Sequence, residues 1–298
     1  MPLLGFGLPV SGSWAQPSTM LRIARRAEEL GYASLWTFQR VLYPAAGGLG
    51  PAFGAGHSPA ARPADDPSYR AVRDPLLPLA YVAGHTERIG LGTATICALF
   101  TPPALLAKAM ATLDHLCAGR LTVGLGIGWM PQEYAAAGVP FARRGARMDE
   151  YLRCLEALWT QDPVEFAGEF YPVPRSHTGL RPVQRPYPPV LLGGAAAPAL
   201  RRAGRLADRL RIVVRGVVDL VDDDPGPGRR PLHGTREQVL DDLAGLRAHG
   251  VTEVFVDLNF LPRVGSPDVD VEAATAEAER VLVALAPGPA PTRPAPSA

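Results

Sequence analysis

Two glycine-bearing strand ends hold the residues of this chain whose types and spacing could do chemistry. The first is Gly119-Arg120-Leu121-Thr122-Val123-Gly124-Leu125-Gly126-Ile127-Gly128-Trp129. Glycines at 124, 126 and 128 strip one face of a short apolar strand of side chains. Such a strand gives up packing and conformational entropy, so something lies close to its backbone. A flat cofactor ring and a tight barrel interior both meet that description. The second is Val190-Leu191-Leu192-Gly193-Gly194-Ala195, which closes an apolar strand just before a helix. Small residues there let backbone N–H groups meet a phosphate at the positive end of the helix dipole. Arg201 and Arg202, inside that helix, offer cations to a phosphate or an anionic tail. The competing reading is a tight turn with solvated arginines.

Alternating strand and helix patterns position these two ends. Residues 4–9 read as a first strand. Pro17 and Ser18 open a helix with Leu21, Ala24, Ala27, Glu28 and Leu30 at helical spacing, and Gly31 stops it. Residues 33–38 are a second strand, 74–85 a helix, 88–97 a third strand and 103–116 a third helix. The glycine strand is the fourth. A helix opens near Pro131 with Gln132, Glu133 and Tyr134, and another covers 147–160. An irregular stretch follows to Pro189. After the fifth strand, 197–207 is helix, 210–218 strand, 235–249 helix, 254–258 strand and 271–285 helix. Thr235 and Gln238 make a capping box. Residues 43–73 have little periodicity and form a long loop, either a lid or an insertion. Residues 222–234 are a polar loop, and the Pro/Ala-rich tail over 287–298 reads as disordered, which leaves one domain over 1–286.

Short β-branched strands alternating with helices point to a parallel sheet buried on both faces. An open doubly wound sheet and a (β/α)8 TIM barrel compete. The 298-residue length favours the barrel, although seven strands are counted rather than eight. A hydrophobic content of 47% and a charged content of 20% are globular values. A formal net charge of +1 gives no reason to expect nucleic acid or an anionic membrane. Three scattered cysteines, Cys97, Cys117 and Cys154, fit a reducing, cytoplasmic setting with no disulfide framework. No CxxC or HExxH spacing occurs, so no metal is expected. Neither a signal peptide nor a membrane span is expected.

Several segments agree in order and spacing with a known family. They include Ala27-Glu28-Glu29-Leu30-Gly31-Tyr32, Leu35-Trp36, Asp74-Pro75-Leu76 and Thr86-Glu87-Arg88-Ile89-Gly90-Leu91-Gly92-Thr93. Further matches are Leu113-Asp114, the glycine strand, Arg147-Met148-Asp149-Glu150 and Pro182-Val183-Gln184-Arg185-Pro186 leading to Gly193-Gly194. Over most of residues 3–260 the chain resembles the bacterial-luciferase-like oxidoreductases, especially the branch that depends on the deazaflavin coenzyme F420. The resemblance implies a (β/α)8 barrel with the cofactor across the C-terminal strand ends and hydride transfer at its ring. It also implies a non-prolyl cis peptide at Ala94-Thr95 backing the ring, with Gly126 and Gly128 beside it. Trp129 would cover an aromatic face, or pack in the core, and Gln132 would reach the ring's pyrimidine edge. Gly193, Gly194, Ala195 and Arg201 would hold the phosphate end.

Two departures qualify this. Where the family carries Asp-His after its second strand, this chain has Gln39-Arg40. Neither shuttles a proton near neutrality. Arg40 then becomes the candidate for an anionic substrate group or the reduced ring's charge, with a salt bridge to Asp65 or Asp66 as the alternative. His57, in the long loop, is a weaker substitute for the missing histidine. His85 and His115 read as satisfied helix residues, Cys97 as a small buried hydrophobe, and Arg147 and Glu150 as a pair on their helix. Second, one β/α unit is shortened near 207–212. Three functions follow: an F420-dependent oxidoreductase acting on a small organic substrate, an FMN-dependent monooxygenase that activates oxygen, and a non-catalytic flavin- or deazaflavin-binding relative. A homodimer is expected.

Overall fold

The computed structural model describes residues 1–45, 66–194, 197–206 and 211–288. The first half of the chain runs β1 (Leu3–Gly7), α1 (Pro17–Glu29), β2 (Ser34–Thr37), α2 (Leu76–Ala83), β3 (Gly90–Thr93), β4 (Ile96–Cys97), α3 (Pro103–Leu116), β5 (Leu121–Gly126), α4 (Pro131–Ala136) and α5 (Arg144–Thr160). The second half runs β6 (Val164–Phe166), β7 (Val173–Ser176), β8 (Val190–Leu192), α6 (Ala197–Leu206), β9 (Ile212–Gly216), β10 (Asp219–Leu220), β11 (His233–Gly234), α7 (Arg236–Ala248), β12 (Val251–Val256), α8 (Pro262–Gly265) and α9 (Val271–Ala284). His57 and the tail from 289 lie outside the described residues.

The main sheet is parallel throughout. Around it the staves follow in the order β9, β12, β1, β2, β3 with its continuation β4, β5 and β8. The described residues form a TIM-type barrel of seven staves, wrapped by helices. Among the described residues no ladder joins β8 to β9, the place where the shortened unit was expected.

Small and large residues alternate across the barrel interior, in tiers. At the base, Glu253 of β12 is fully buried and accepts hydrogen bonds from Ser34 Oγ, Trp36 Nε1 and Arg211 Nη2. Above it, Trp36 stacks on Phe255 with ring centroids 5.3 Å apart. The uppermost tier holds Phe38, Arg215 and Asp257. Charge inside a barrel is costly unless paired and hydrogen-bonded, and each carboxylate here has an arginine.

Several residues of the family-like segments turn out to join elements rather than to line the mouth. Glu28 of α1 accepts from the backbone N–H groups of Glu87, Arg88 and Ile89 at 2.7–3.0 Å, fixing the entry to β3. Arg120 donates to the carbonyls of Ala83, Thr86, Ile89 and Cys117 and to Thr86 Oγ1. Asp114, fully buried, accepts from Gln184 through both backbone and side chain. The Thr235–Gln238 capping box opens α7 as expected. The pairing of Arg147 with Glu150 is not found. Glu150 instead accepts from the backbone N–H groups of Glu169, Phe170 and Tyr171, while Arg147 lies over the Phe170 ring. The reason is burial: three backbone donors satisfy a buried carboxylate better than a partly solvated cation does.

Candidate active site

All staves run the same way, so their C-terminal ends share one rim, where sites form in this architecture. On that rim the third stave is interrupted. Gly92 pairs with Thr122, yet Ile96 pairs with Leu125, so β3–β4 carries one residue more than β5. The extra residue is a bulge centred on the cis peptide Ala94–Thr95, the bond expected from the resemblance. Thr93 Oγ1 bridges to both the N–H and the carbonyl of Gly124. The Ala94 N–H donates to Thr37 O, and Gln39 spans the bulge: its N–H reaches Thr95 O, and its Oε1 accepts from Cys97 N at 2.8 Å.

The glycines exist to seat this bulge. A Cβ on Gly124 would overlap the carbonyl oxygen of Thr93. A Cβ on Gly126 would lie 2.7 Å from Thr95 Oγ1, and one on Gly193 would lie 2.7 Å from Thr95 Cγ2. Thr95 therefore occupies a slot between two glycines on two neighbouring staves. Gly128 has φ +65°, and its Cβ would press on Cys97 Sγ. Of the two readings of the glycine strand, close approach by the protein's own atoms accounts for 124, 126 and 128. Burial pushes the Cys97 thiol up to about 12, which leaves it inert.

Arg40 sits on the other side of the bulge. Its Nε and Nη2 grip both oxygens of Glu133 on α4, at 2.8 and 2.5 Å. The Glu133 carboxylate also accepts from the N–H groups of Val41 and Leu42. Both side chains are buried, 7% and 2% exposed, and the guanidinium lies 4.9 Å from the Trp129 ring centre. The expected free cation is thus half of a neutral buried pair, and its partner is not the acid of the adjoining loop. Asp66 caps Ser68 N, and Asp65 is outside the described residues. Trp129, half-buried, belongs to a small apolar cluster with Leu42, Tyr43, Tyr69 and Met130. One nitrogen of Arg40, Nη1, is buried with no hydrogen-bond partner.

A third feature was not anticipated. Arg215 of β9 reaches across the barrel and donates from Nη2 to the carbonyl oxygen of Ala94. Its Nε lies 3.3 Å from Asp257 Oδ2. Asp257 is held in turn by Asn259, whose backbone N–H and Nδ2 donate to Oδ1 at 3.1 and 2.9 Å. Asn259 also accepts from the N–H groups of Val10 and Ser11 and donates to Leu8 O, so it ties the first and last staves together at the rim.

Gln39, Ala94, Thr95, Gly126 and Gly193 thus form one contiguous wall, and Gly128, Trp129 and Arg40 adjoin it. Gln132 and Arg201 are exposed. Arg202 is buried and bound to Asp149 Oδ1 and Gly145 O, so it serves the α5–α6 contact rather than an anion. Gly194 is exposed with φ +138°, and Ala195 lies outside the described residues. Glu133, Arg215 and Asp257 were missed from the sequence. Two apolar grooves lie elsewhere: one of about 330 Å³ beneath α3, α5 and β7, and one of about 290 Å³ between α1 and α2. No helix among the described residues is long and apolar enough to cross a membrane.

The fold and rim define an α/β-barrel protein of the luciferase-like kind, and sequence comparison agrees. The model of the family described as luciferase-like monooxygenase matches residues 5–215, so the chain belongs to that family. An uncharacterised protein of Mycobacterium tuberculosis (strain ATCC 25618 / H37Rv) is 42% identical over 130 residues, 44% of this chain and 46% of that one. The chain thus spans about half the length of such curated relatives. An F420-dependent glucose-6-phosphate dehydrogenase of Amycolatopsis mediterranei (strain U-32) is 29% identical over 81% of this chain and 67% of its own. An FMNH(2)-dependent dimethylsulfone monooxygenase of Pseudomonas putida is 38% identical over 36% of this chain and 30% of its own. The crystal structure of monooxygenase RslO1 from Streptomyces bottropensis superposes with a TM-score of 0.73 at 19% identity, covering 95% of this chain and 98% of that one. Relatives therefore include both F420- and FMN-dependent enzymes.

Proposed function

We propose that this protein is a two-electron oxidoreductase that binds coenzyme F420 at the rim, with FMN as the alternative, and acts on a small organic substrate. The observation that carries the reading is the wall in which Thr95 seats against Gly126 and Gly193 beside the Ala94–Thr95 bulge, with a cation, Arg215, fixed against the Ala94 carbonyl. Its residues fit such a group. Gly194 is exposed with left-handed φ ahead of α6, and Arg201 stands exposed on that helix, which suits a phosphate and an anionic tail. The Gln39 amide is fixed through Oε1, and its Nε2 makes no hydrogen bond among the described residues, which leaves a donor for such a group. When bound, the coenzyme would supply the hydride chemistry.

The chain's own residues orient and exclude water. Arg40 is locked by Glu133 and holds Trp129 beside the wall. Gln39 carries no ionisable proton, so it orients rather than shuttles. The breadth of the match to the F420-dependent dehydrogenase supports F420 over FMN. Among the described residues no ladder joins β8 to β9, and an unpaired edge there would weaken cofactor binding, at the limit favouring the non-catalytic reading. A cytoplasmic homodimer completes the proposal.

Gly194→Leu tests the placement. A bulky residue at φ +138° hinders backbone approach at the α6 entrance. Affinity for the cofactor that binds the wild type should fall by about tenfold or more, with the circular dichroism spectrum unchanged. Unchanged affinity would refute the phosphate position.

A further inference from the structure

We propose that Arg215 anchors the substrate and that the substrate class is a carboxylate. This rests on the rim being the reaction site, as proposed above. Arg215 and Arg40 are the two arginines of the rim wall, and they differ in what they have left to give. Arg40 is held bidentately by Glu133 and is 7% exposed, with its one spare nitrogen buried. Arg215 is 31% exposed, while its partner Asp257 is 2% exposed. Its two contacts, Nε to Asp257 and Nη2 to Ala94 O, use the side-on edge of the guanidinium. Nη1 has no hydrogen bond among the described residues, so the end-on edge is open.

That edge matches the two oxygens of a carboxylate. Asp257 does not compete for it, because its Oδ1 is engaged by Asn259 and its Oδ2 lies at Nε. The guanidinium carbon lies 4.7 Å from the Phe260 ring centre and 5.3 Å from that of Phe38, and both rings are buried, so they support the Arg215 head at the rim. The Ala94 carbonyl, bound by the same guanidinium, puts the anchored group directly beside the wall.

Benzoate is the probe, benzamide its neutral counterpart, and isothermal titration of the full chain the measurement. Benzoate should bind, and benzamide should bind about ten- to a hundredfold more weakly, the range of a charge-assisted hydrogen bond. Arg215→Met combined with Asp257→Asn removes the cation without stranding a buried carboxylate, and should lose the same factor. Arg215→Lys should retain part of the affinity, and Arg26→Met, on the exposed face of α1, should retain all of it. Equal binding of benzoate and benzamide, undiminished binding by the double variant, or no benzoate binding to the wild type would each overturn the proposal. Cofactor titration on the same preparations is scored separately. Benzoate held at Arg215 without any flavin or deazaflavin bound would sink the proposed function and leave this anchor standing.

Discussion

Removing the Arg40 side-chain charge should cost far more than an exposed rim arginine would. Arg40→Met takes away both donors that grip Glu133, at 2.8 and 2.5 Å, and leaves a carboxylate that is 2% exposed. The N–H groups of Val41 and Leu42 still reach Glu133, which softens the loss. Breaking one side of a buried pair costs about 3–5 kcal/mol, and those two donors argue for the lower part of that range. In a chain of this size the melting temperature should fall by roughly 6–10 °C, at about 2–3 °C per kcal/mol. Arg40→Met with Glu133→Leu should recover part of the loss, because no charge is then stranded, though Val41 and Leu42 lose an acceptor. Urea unfolding followed by tryptophan fluorescence reads both variants. A loss below about 1 kcal/mol for Arg40→Met, the range of exposed pairs, would show that the pair is solvated and that Trp129 is not held by it.

Three further outcomes follow from the packing. Burial opposes ionisation of Glu28, but three backbone N–H donors outweigh it and hold its carboxyl below the usual range. A depressed folded value contributes stability above the unfolded pKa of about 4.3 and loses it as pH falls further. Glu28→Gln should therefore be less stable at pH 7 and show a shallower decline in acid, and identical pH–stability curves would contradict this. Gly124→Ala should lower stability by about 1–3 kcal/mol or more, since its Cβ meets a backbone carbonyl that cannot turn aside; an unchanged melting temperature would show that the bulge can yield. All three cysteines are buried, and the Cys97 thiol is pushed up to about 12. Native protein at pH 8 should resist thiol reagents, and all three thiols should react once it is unfolded. Rapid native labelling would show that the rim behind Gly128 opens.

The barrel's staves were legible because strand–helix alternation and β-branched runs survive translation into a parallel sheet almost residue for residue. The absence of a β8–β9 ladder among the described residues was legible too, because residues 207–211 are too few to hold a strand and a helix. The β6–β7 hairpin was not legible: its strands are short, do not alternate, and include Pro174, which suits only an edge. Within the site, the glycine pattern was read correctly as close approach, but the approaching group is Thr95. The charged residues were harder. Arg40 and Glu133 are 93 positions apart, so no local spacing joins them. A usable signal did exist for Arg215 and Asp257. Each interrupts an apolar β-branched run, Ile212-Val213-Val214 and Val254-Phe255-Val256, and a charge inside a buried strand calls for a partner. Arg202 and Arg201 show the opposite: adjacent in sequence, one is buried against Asp149 and the other is solvated.

The central claim, a rim built for a deazaflavin, is tested most directly by titrating the full chain with coenzyme F420 and, separately, with FMN. Quenching of tryptophan fluorescence reports both, because Trp129 adjoins the wall and Trp36 lies one tier beneath it. F420 should bind at micromolar concentrations, at least tenfold more tightly than FMN, a difference of about 1.4 kcal/mol. Preferential binding of FMN would move the protein to the monooxygenase reading. Failure of both to bind would contradict the account.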